Sequence, residues 1–319
     1  MYGTLFAVHA TAAPNPGDHR TVRVVIAPGT RSAAIAHQLA AAGLIRSSFV
    51  FDAMAHLDGA ASHLQAGEYD FTRAMAPVEI LARIANGDVV AYRITVPEGA
   101  DVEQVADAVA SAGLWTRQEM LDAAADRSLV AAWVPAGAPV RYALEGYLYP
   151  DTYSFTRADN AREVLAAMVA RFKQQATPME SQAAAQGLSV NQWVTLASIV
   201  EREASAPQDE AQVAAVFLNR LKIGMPLQSD PTVLYALNER SGTLTAADLD
   251  LTSPYNTYRS PGLPPGPIAN PSATALAAVL HPAPITALYF IAKPDGTLVF
   301  AQTYAQQLAN EQEYLSGAH

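Results

Sequence analysis

Two stretches of this chain carry the same punctuation. Val24-Val-Ile-Ala-Pro-Gly29 precedes an apolar-periodic run with Ile35 and Leu39 that ends in Ala42-Gly-Leu44. Further on, Ile94-Thr-Val-Pro-Glu-Gly99 precedes a run with Val105 and Val109 that ends in Ala112-Gly-Leu114. Gly29 and Gly99, Ile35 and Val105, Gly43 and Gly113, and Leu44 and Leu114 all keep one seventy-residue offset. Each unit reads as a strand, a Pro-Gly turn, an amphipathic helix and a glycine in the left-handed position after it. A chain that begins this way must put both helices and strands into one core, so the fold class is α+β.

The pattern continues in the same style. Residues 48–57 and 75–86 read as helices, and 65–70 and 88–96 as strands. Strand, helix, helix, strand at this size resembles a LysM-like module, a fold that holds N-acetylglucosamine-containing glycans. A generic α+β lobe that only orients a second domain fits the pattern as well. The block 144–155 crowds tyrosines and phenylalanine around Pro150, with Glu145 and Asp151 among them. It predicts a packed hairpin with solvated acids. Helices follow at 160–174, 179–186 and 190–204, the last capped by Ser189, and another is capped by Asp209 and stops at Gly224. Asp230-Pro231 and Asn270-Pro271 each pair a capping side chain with proline at the first helical position. Residues 287–293 and 297–302 form a hairpin around Pro294-Asp-Gly296, and Thr303 caps a last helix. Between residues 253 and 270 runs a proline-rich segment, too long for an idle connection and stiffened by its rings.

Composition narrows the function classes. Half of the 319 residues are hydrophobic and only 16% are charged, which is far from a disordered chain. Net charge is −10, and lysine occurs only at 173, 222 and 293. No basic patch is available for nucleic acid or for anionic lipid. Without cysteine there is neither disulfide nor thiol chemistry. The seven histidines form no i,i+4 pair, so no metal site is expected. Residues 1–20 are mildly apolar and then Pro/Gly-rich, too short to span a bilayer and without a basic n-region. They read as a flexible tail.

The chemistry concentrates at Leu196-Ala-Ser-Ile-Val-Glu-Arg-Glu203, which sets two carboxylates at the end of an apolar helical run. On a wheel at about 100° per residue, Trp193, Ala197 and Val200 centre the apolar face and Thr195, Ser198 and Arg202 lie opposite. Glu201 and Glu203 fall about 80° to either side of that centre. They diverge, and both border apolar neighbours, so periodicity does not choose between them. An acid beside apolar surface, followed by polar and aromatic groups, suits cleavage of a glycosidic bond. Those groups are Asn219, Gln228, Asp230, Tyr255, Asn256 and Tyr258. Asp230 has a second reading as a helix cap, and Asn219 as a group that satisfies local backbone.

The blocks Ala197-Ser-Ile-Val-Glu-Arg-Glu203, Val216-Phe-Leu-Asn-Arg-Leu221, Leu227-Gln-Ser-Asp-Pro-Thr-Val233, Tyr255-Asn-Thr-Tyr258 and Gly262-Leu-Pro-Pro-Gly-Pro-Ile268 resemble, in order, the YceG-like (MltG) family of endolytic murein transglycosylases. The resemblance covers most of residues 93–319 and, more loosely, 22–92. It implies a LysM-like domain over 21–92, a lytic transglycosylase domain over 93–319, and a tail, 1–20, left from a membrane-anchor region. It also implies Glu201, the first acid of Ile-Val-Glu-Arg-Glu, as the single catalytic carboxyl, working without metal or other cofactor. MurNAc–GlcNAc bonds inside peptidoglycan strands would be cut to leave 1,6-anhydro-muramic ends, beside the synthases on the outer face of the cytoplasmic membrane. The family's single N-terminal membrane helix has no counterpart here; the chain starts where such a helix would be ending. Two rivals stand beside this reading. One is a hydrolytic muramidase on the same site, with Asp230 as a second acid. The other is a non-catalytic peptidoglycan-binding scaffold.

Overall fold

The computed structural model describes residues 9–315. The chain is mixed α+β and divides into two compact units, residues 1–93 with 154–160, and 94–153 with 161–319. Expectations that fall on residues 1–8 lie outside the described residues.

In the first unit, β1 (Thr21–Ile26) pairs antiparallel with β2 (Gly67–Thr72), in the register Thr21 with Thr72 to Ile26 with Gly67. Between them run α1 (Ser32–Ala41) and α2 (Ser48–Leu57), and α3 (Pro77–Asn86) follows β2. Val24 and Ile26 of β1, Tyr69 and Phe71 of β2, Ile35 and Leu39 of α1, Phe51 of α2 and Ile80 and Ile84 of α3 make one core. Alternation along the strands and the 3.6-residue spacing along the helices converge on the same interior. Residues 13–20 are tied to this unit, unlike the tail expected there. Asn15 N–H donates to the Arg73 carbonyl, Asp18 pairs with Arg20 and Arg73, and Arg46 donates to the carbonyls of Ala13 and Pro14.

The second unit contains most of the helices. Strand β3 (Tyr92–Thr95), which pairs with β4 (Thr152–Phe155), leads into α4 (Val102–Ser111) and α5 (Arg117–Ala124). After β4 come α6 (Ala161–Ala176), α7 (Glu180–Ala185), α8 (Val190–Glu203), α9 (Glu210–Lys222), α10 (Asp230–Leu237), α11 (Ala246–Leu249) and α12 (Ala273–Leu280). A hairpin of β5 (Tyr289–Ala292) and β6 (Leu298–Ala301) precedes α13 (Tyr304–Tyr314). The seventy-residue offset is structural: Gly29 and Gly99 each turn a strand into a helix at φ of 76° and 70°. A side chain there would need the left-handed backbone that glycine adopts freely.

Helix α8 is the axis of this unit, packed against both α9 and α12. Trp193 is wholly buried and its indole N–H donates to the Leu276 carbonyl at 2.8 Å. The wheel expectation fails on its polar face. Thr195 and Ser198 are fully buried, and the 253–270 segment reaches Ser198. Thr195 returns its hydroxyl to the Asn191 carbonyl, and Ser198 accepts the N–H of Ile268 at 3.1 Å. The 144–155 block also departs from the expected hairpin. Only β4 is extended, and Leu144 to Tyr149 fold inward, taking Glu145 with them.

Candidate active site

The C-terminal end of α8 presents the two acids, and the residues around them differ. Glu201 Oε2 accepts the backbone N–H of Ser272 at 2.8 Å. Ser272 is the N-cap of α12, where its own hydroxyl accepts the N–H of Ala275. Gly99 packs beside this carboxyl at φ of 70°. Glu201 is thus occupied in satisfying an orphan donor at the start of a helix.

Glu203 faces the other way. Its Oε1 receives the hydroxyl of Ser229 at 2.6 Å. Removal from water pushes its pKa up to about 7, and the negative charge of Asp230 adds to the rise. The Ser229 hydrogen bond and the Arg220 guanidinium oppose it. Arg220 is itself buried, held by the carbonyls of Leu227 and Leu288 and set over the Tyr289 ring. Desolvation depresses its pKa. A carboxyl that exchanges its proton near neutral pH has the property a general acid needs.

Residues 227–232 form the other half of this site. Gln228 adopts φ of 51°, a left-handed conformation uncommon for a side-chain-bearing residue. Its N–H donates to the Thr257 carbonyl, and the next N–H, of Ser229, donates to Thr257 Oγ1 at 3.0 Å. Thr232 Oγ1 lies 2.9 Å from the same hydroxyl and donates to the Ser229 carbonyl. Ser229, Thr232 and Thr257 are fully or almost fully buried, so the turn is locked to the 255–258 segment. Asp230 stands exposed at the first position of α10 and accepts the Tyr258 hydroxyl at 2.5 Å. It makes no capping bond, contrary to that reading of the sequence; Ser229 occupies the N-cap position. Tyr258's pKa is raised by burial and by this carboxylate.

Of the residues singled out from sequence, Glu203, Gln228, Asp230 and Tyr258 come together here. The other polar candidates are engaged elsewhere. Asn219 donates both amide hydrogens to the carbonyls of Ile285 and Ala287. Asn256 is fully buried, with its amide on the carbonyls of Leu249 and Leu251 and its oxygen on the N–H of Tyr258. Tyr255 is packed against Tyr235 with ring centres 4.9 Å apart, and its hydroxyl accepts the N–H of Arg141. These bonds engage both polar atoms of Asn256 and tie Asn219 and Tyr255 to neighbouring backbone. Asn270, expected as a cap, is buried and bridges the Leu148 N–H to the Ala100 carbonyl; Ser272 caps α12 instead. Sequence reasoning passed over Ser229 and Thr257. Ser229 and Thr257 lie inside the Gln-Ser-Asp-Pro-Thr and Tyr-Asn-Thr-Tyr blocks, which is the one signal that pointed their way. Among the described residues no cluster of His, Asp and Glu could hold a metal ion.

A family model described as the YceG-like family matches residues 24–313. A Bacillus subtilis (strain 168) protein named endolytic murein transglycosylase is 34% identical over 308 residues, spanning 93% of this chain and 85% of its own length. A Streptococcus pneumoniae (strain D39) protein of the same name is 28% identical, covering 99% of this chain and 62% of its own length. The crystal structure of a putative yceG-like protein from Listeria monocytogenes aligns over 91% of this chain and 99% of that one, with a TM-score of 0.64 and 32% identity. With a fold and a sequence that both align across nearly its whole length, the chain belongs to the YceG-like family.

Proposed function

We propose that the chain is an endolytic murein transglycosylase whose general acid and base is Glu203, in place of the Glu201 expected from the motif. One observation carries the assignment. The Glu203 carboxyl is desolvated, held by Ser229 and titrates near 7, whereas the Glu201 carboxylate is occupied by the Ser272 N–H. The names of the aligned relatives supply the reaction class.

The chemistry then runs through one group used twice. Protonated Glu203 gives its proton to the oxygen between MurNAc and GlcNAc as the C1–O bond breaks. The muramic ring passes through an oxocarbenium-like state. Ionised Glu203 takes the proton of the ring's own 6-hydroxyl while that oxygen bonds to C1. The products are a free GlcNAc 4-hydroxyl and a 1,6-anhydro end, the acid is regenerated, and no water is consumed. Arg220 supports the carboxylate during its ionised interval, and burial, with the charge of Asp230 adding, keeps the resting group protonated. Gln228, Asp230 and Tyr258 are the substrate-facing groups.

The first unit supports a glycan-holding role. An open groove of about 480 Å³ runs between the turn after β1 and the end of α2, lined by Arg31, Ser32, His56, Gly59, Ala61 and Ser62. Work on murein places the protein outside the cytoplasm. Among the described residues no helix is long and apolar enough to cross a membrane.

The test is digestion of purified murein followed by mass spectrometry. Glu203→Gln should lower release of anhydro-ended fragments by about 10²–10⁴-fold, and Glu201→Gln should retain activity. The reverse pattern returns the role to Glu201. Reducing ends in place of anhydro ends would make the protein a muramidase.

A further inference from the structure

Resting on Glu203 as the acid, we propose that Ser229 is a positioning residue that commits the Glu203 proton to Oε2, the oxygen left to face the substrate. Ser229 is 0% exposed, and its hydroxyl lies 2.6 Å from Glu203 Oε1. A buried hydroxyl needs an acceptor for its hydrogen. Among the described residues Glu203 Oε1 is the one acceptor recorded for it. Oε1 therefore receives the Ser229 hydrogen in both protonation states, as the carbonyl of the acid and as half of the carboxylate. The acid's own proton must sit on Oε2.

The surroundings keep Ser229 from turning away. Its N–H is fixed by Thr257 Oγ1 and its carbonyl receives the Thr232 hydroxyl at 2.6 Å. The residue before it is held at a left-handed φ of 51°, a conformation that persists only where neighbours over-determine it. Such rigidity suits a group whose whole effect is geometric. The hydrogen bond also favours the ionised form of Glu203 and so moderates the rise that desolvation imposes. Other charged and titratable groups facing Glu203 are Asp230 at the start of α10, Arg220 on α9 and Tyr258 from the 255–258 segment. On α8 itself, Glu201 is directed to the Ser272 N–H and Arg202 to the Arg240 carbonyl.

The experiment compares Ser229→Ala and Ser229→Thr with the parent, by the pH dependence of kcat/KM on purified murein strands and by ¹³C-carboxyl NMR titration of Glu203, assigned with Glu203→Gln. Activity of the parent should fall as pH rises through about 7, where Glu203 loses its proton. In Ser229→Ala the falling limb and the NMR midpoint should both move up by about one pH unit, a tenfold change in the ionisation constant. Its kcat at pH 6 should drop about tenfold with KM unchanged, and Ser229→Thr should restore both. If Ser229→Ala does not fold, Ser229→Cys, whose thiol is a weaker donor, should shift the midpoint in the same direction. An unmoved limb and midpoint, or a threonine variant as impaired as alanine, overturns the proposal and leaves Ser229 a packing residue. If Glu203→Gln itself stays active, the acid assignment falls instead, whatever Ser229 does.

Discussion

Glu145 makes the fold less stable as pH rises, and replacing it with glutamine should remove that dependence. The side chain is 1% exposed, accepts the Val102 N–H at 3.1 Å and receives the Tyr235 hydroxyl at 3.0 Å. Burial, with the charge of Asp101 adding, pushes its pKa up to about 8. In an unfolded chain the same carboxyl titrates near 4.3. Between these values the folded state keeps a proton that the unfolded state releases. Stability therefore declines with pH across this window, by up to about 1.4 kcal/mol per unit, and this group contributes no slope outside it. At pH 7 the accumulated cost is about 3–4 kcal/mol, a large part of the 5–15 kcal/mol typical of a domain. A glutamine carries no such cost. Its side-chain oxygen can still accept the Val102 N–H. Glu203 and Glu210, both pushed up to about 7, are half ionised near that pH and add a smaller slope that fades above it. The cleanest reading is urea unfolding at half-unit steps from pH 7 to 8. There the parent should lose stability more steeply than Glu145→Gln, which keeps only the slope of the other acids and, at pH 7, is at least as stable. An equal slope in both proteins would refute the assignment of this dependence to Glu145.

Two more outcomes follow from the 253–270 segment, both read by denaturant unfolding. Asn270→Ala should cost about 2–3 kcal/mol: it strands the buried Leu148 N–H, which the Asn270 side chain satisfies at 2.9 Å, while the Ala100 carbonyl keeps the backbone N–H of residue 270. A loss below ~0.5 kcal/mol would mean that this N–H finds another partner. Gly146→Ala should be worse, about 3 kcal/mol or more, because φ is 84° and the added Cβ would sit 2.4 Å from the Pro267 ring and 3.0 Å from Val194. A soluble, normally stable variant would show that the 260s loop can shift away from α8.

What could be read from the sequence, and what could not, divides by the range of the forces involved. The offset glycines were legible because a left-handed turn is a property of one residue, and Gly29, Gly43, Gly99 and Gly113 all take it. Ser189 and Thr303 were legible as caps for the same reason; each forms a capping box with the glutamine three residues on. The polar face of α8 was not legible. A wheel assumes that Thr195 and Ser198 look at water, whereas both are buried and the loop that returns seventy residues later reaches Ser198. The choice between Glu201 and Glu203 was not legible for the same reason. Both acids border the same helix at similar angles, so nothing local separates them. What separates them is the identity of two distant groups, a backbone N–H at Ser272 and a hydroxyl at Ser229, brought to opposite flanks of α8. Glu201 accepts the N–H of the cap residue of α12, and Glu203 is held, partly buried, by the Ser229 hydroxyl. The long proline-rich segment decides both outcomes. It leads into Ser272 through Asn270, and it locks the Ser229 turn through Thr257. The site in this chain is thus a property of loop closure over a helix end, which a one-dimensional pattern places in the right region without separating its two acids.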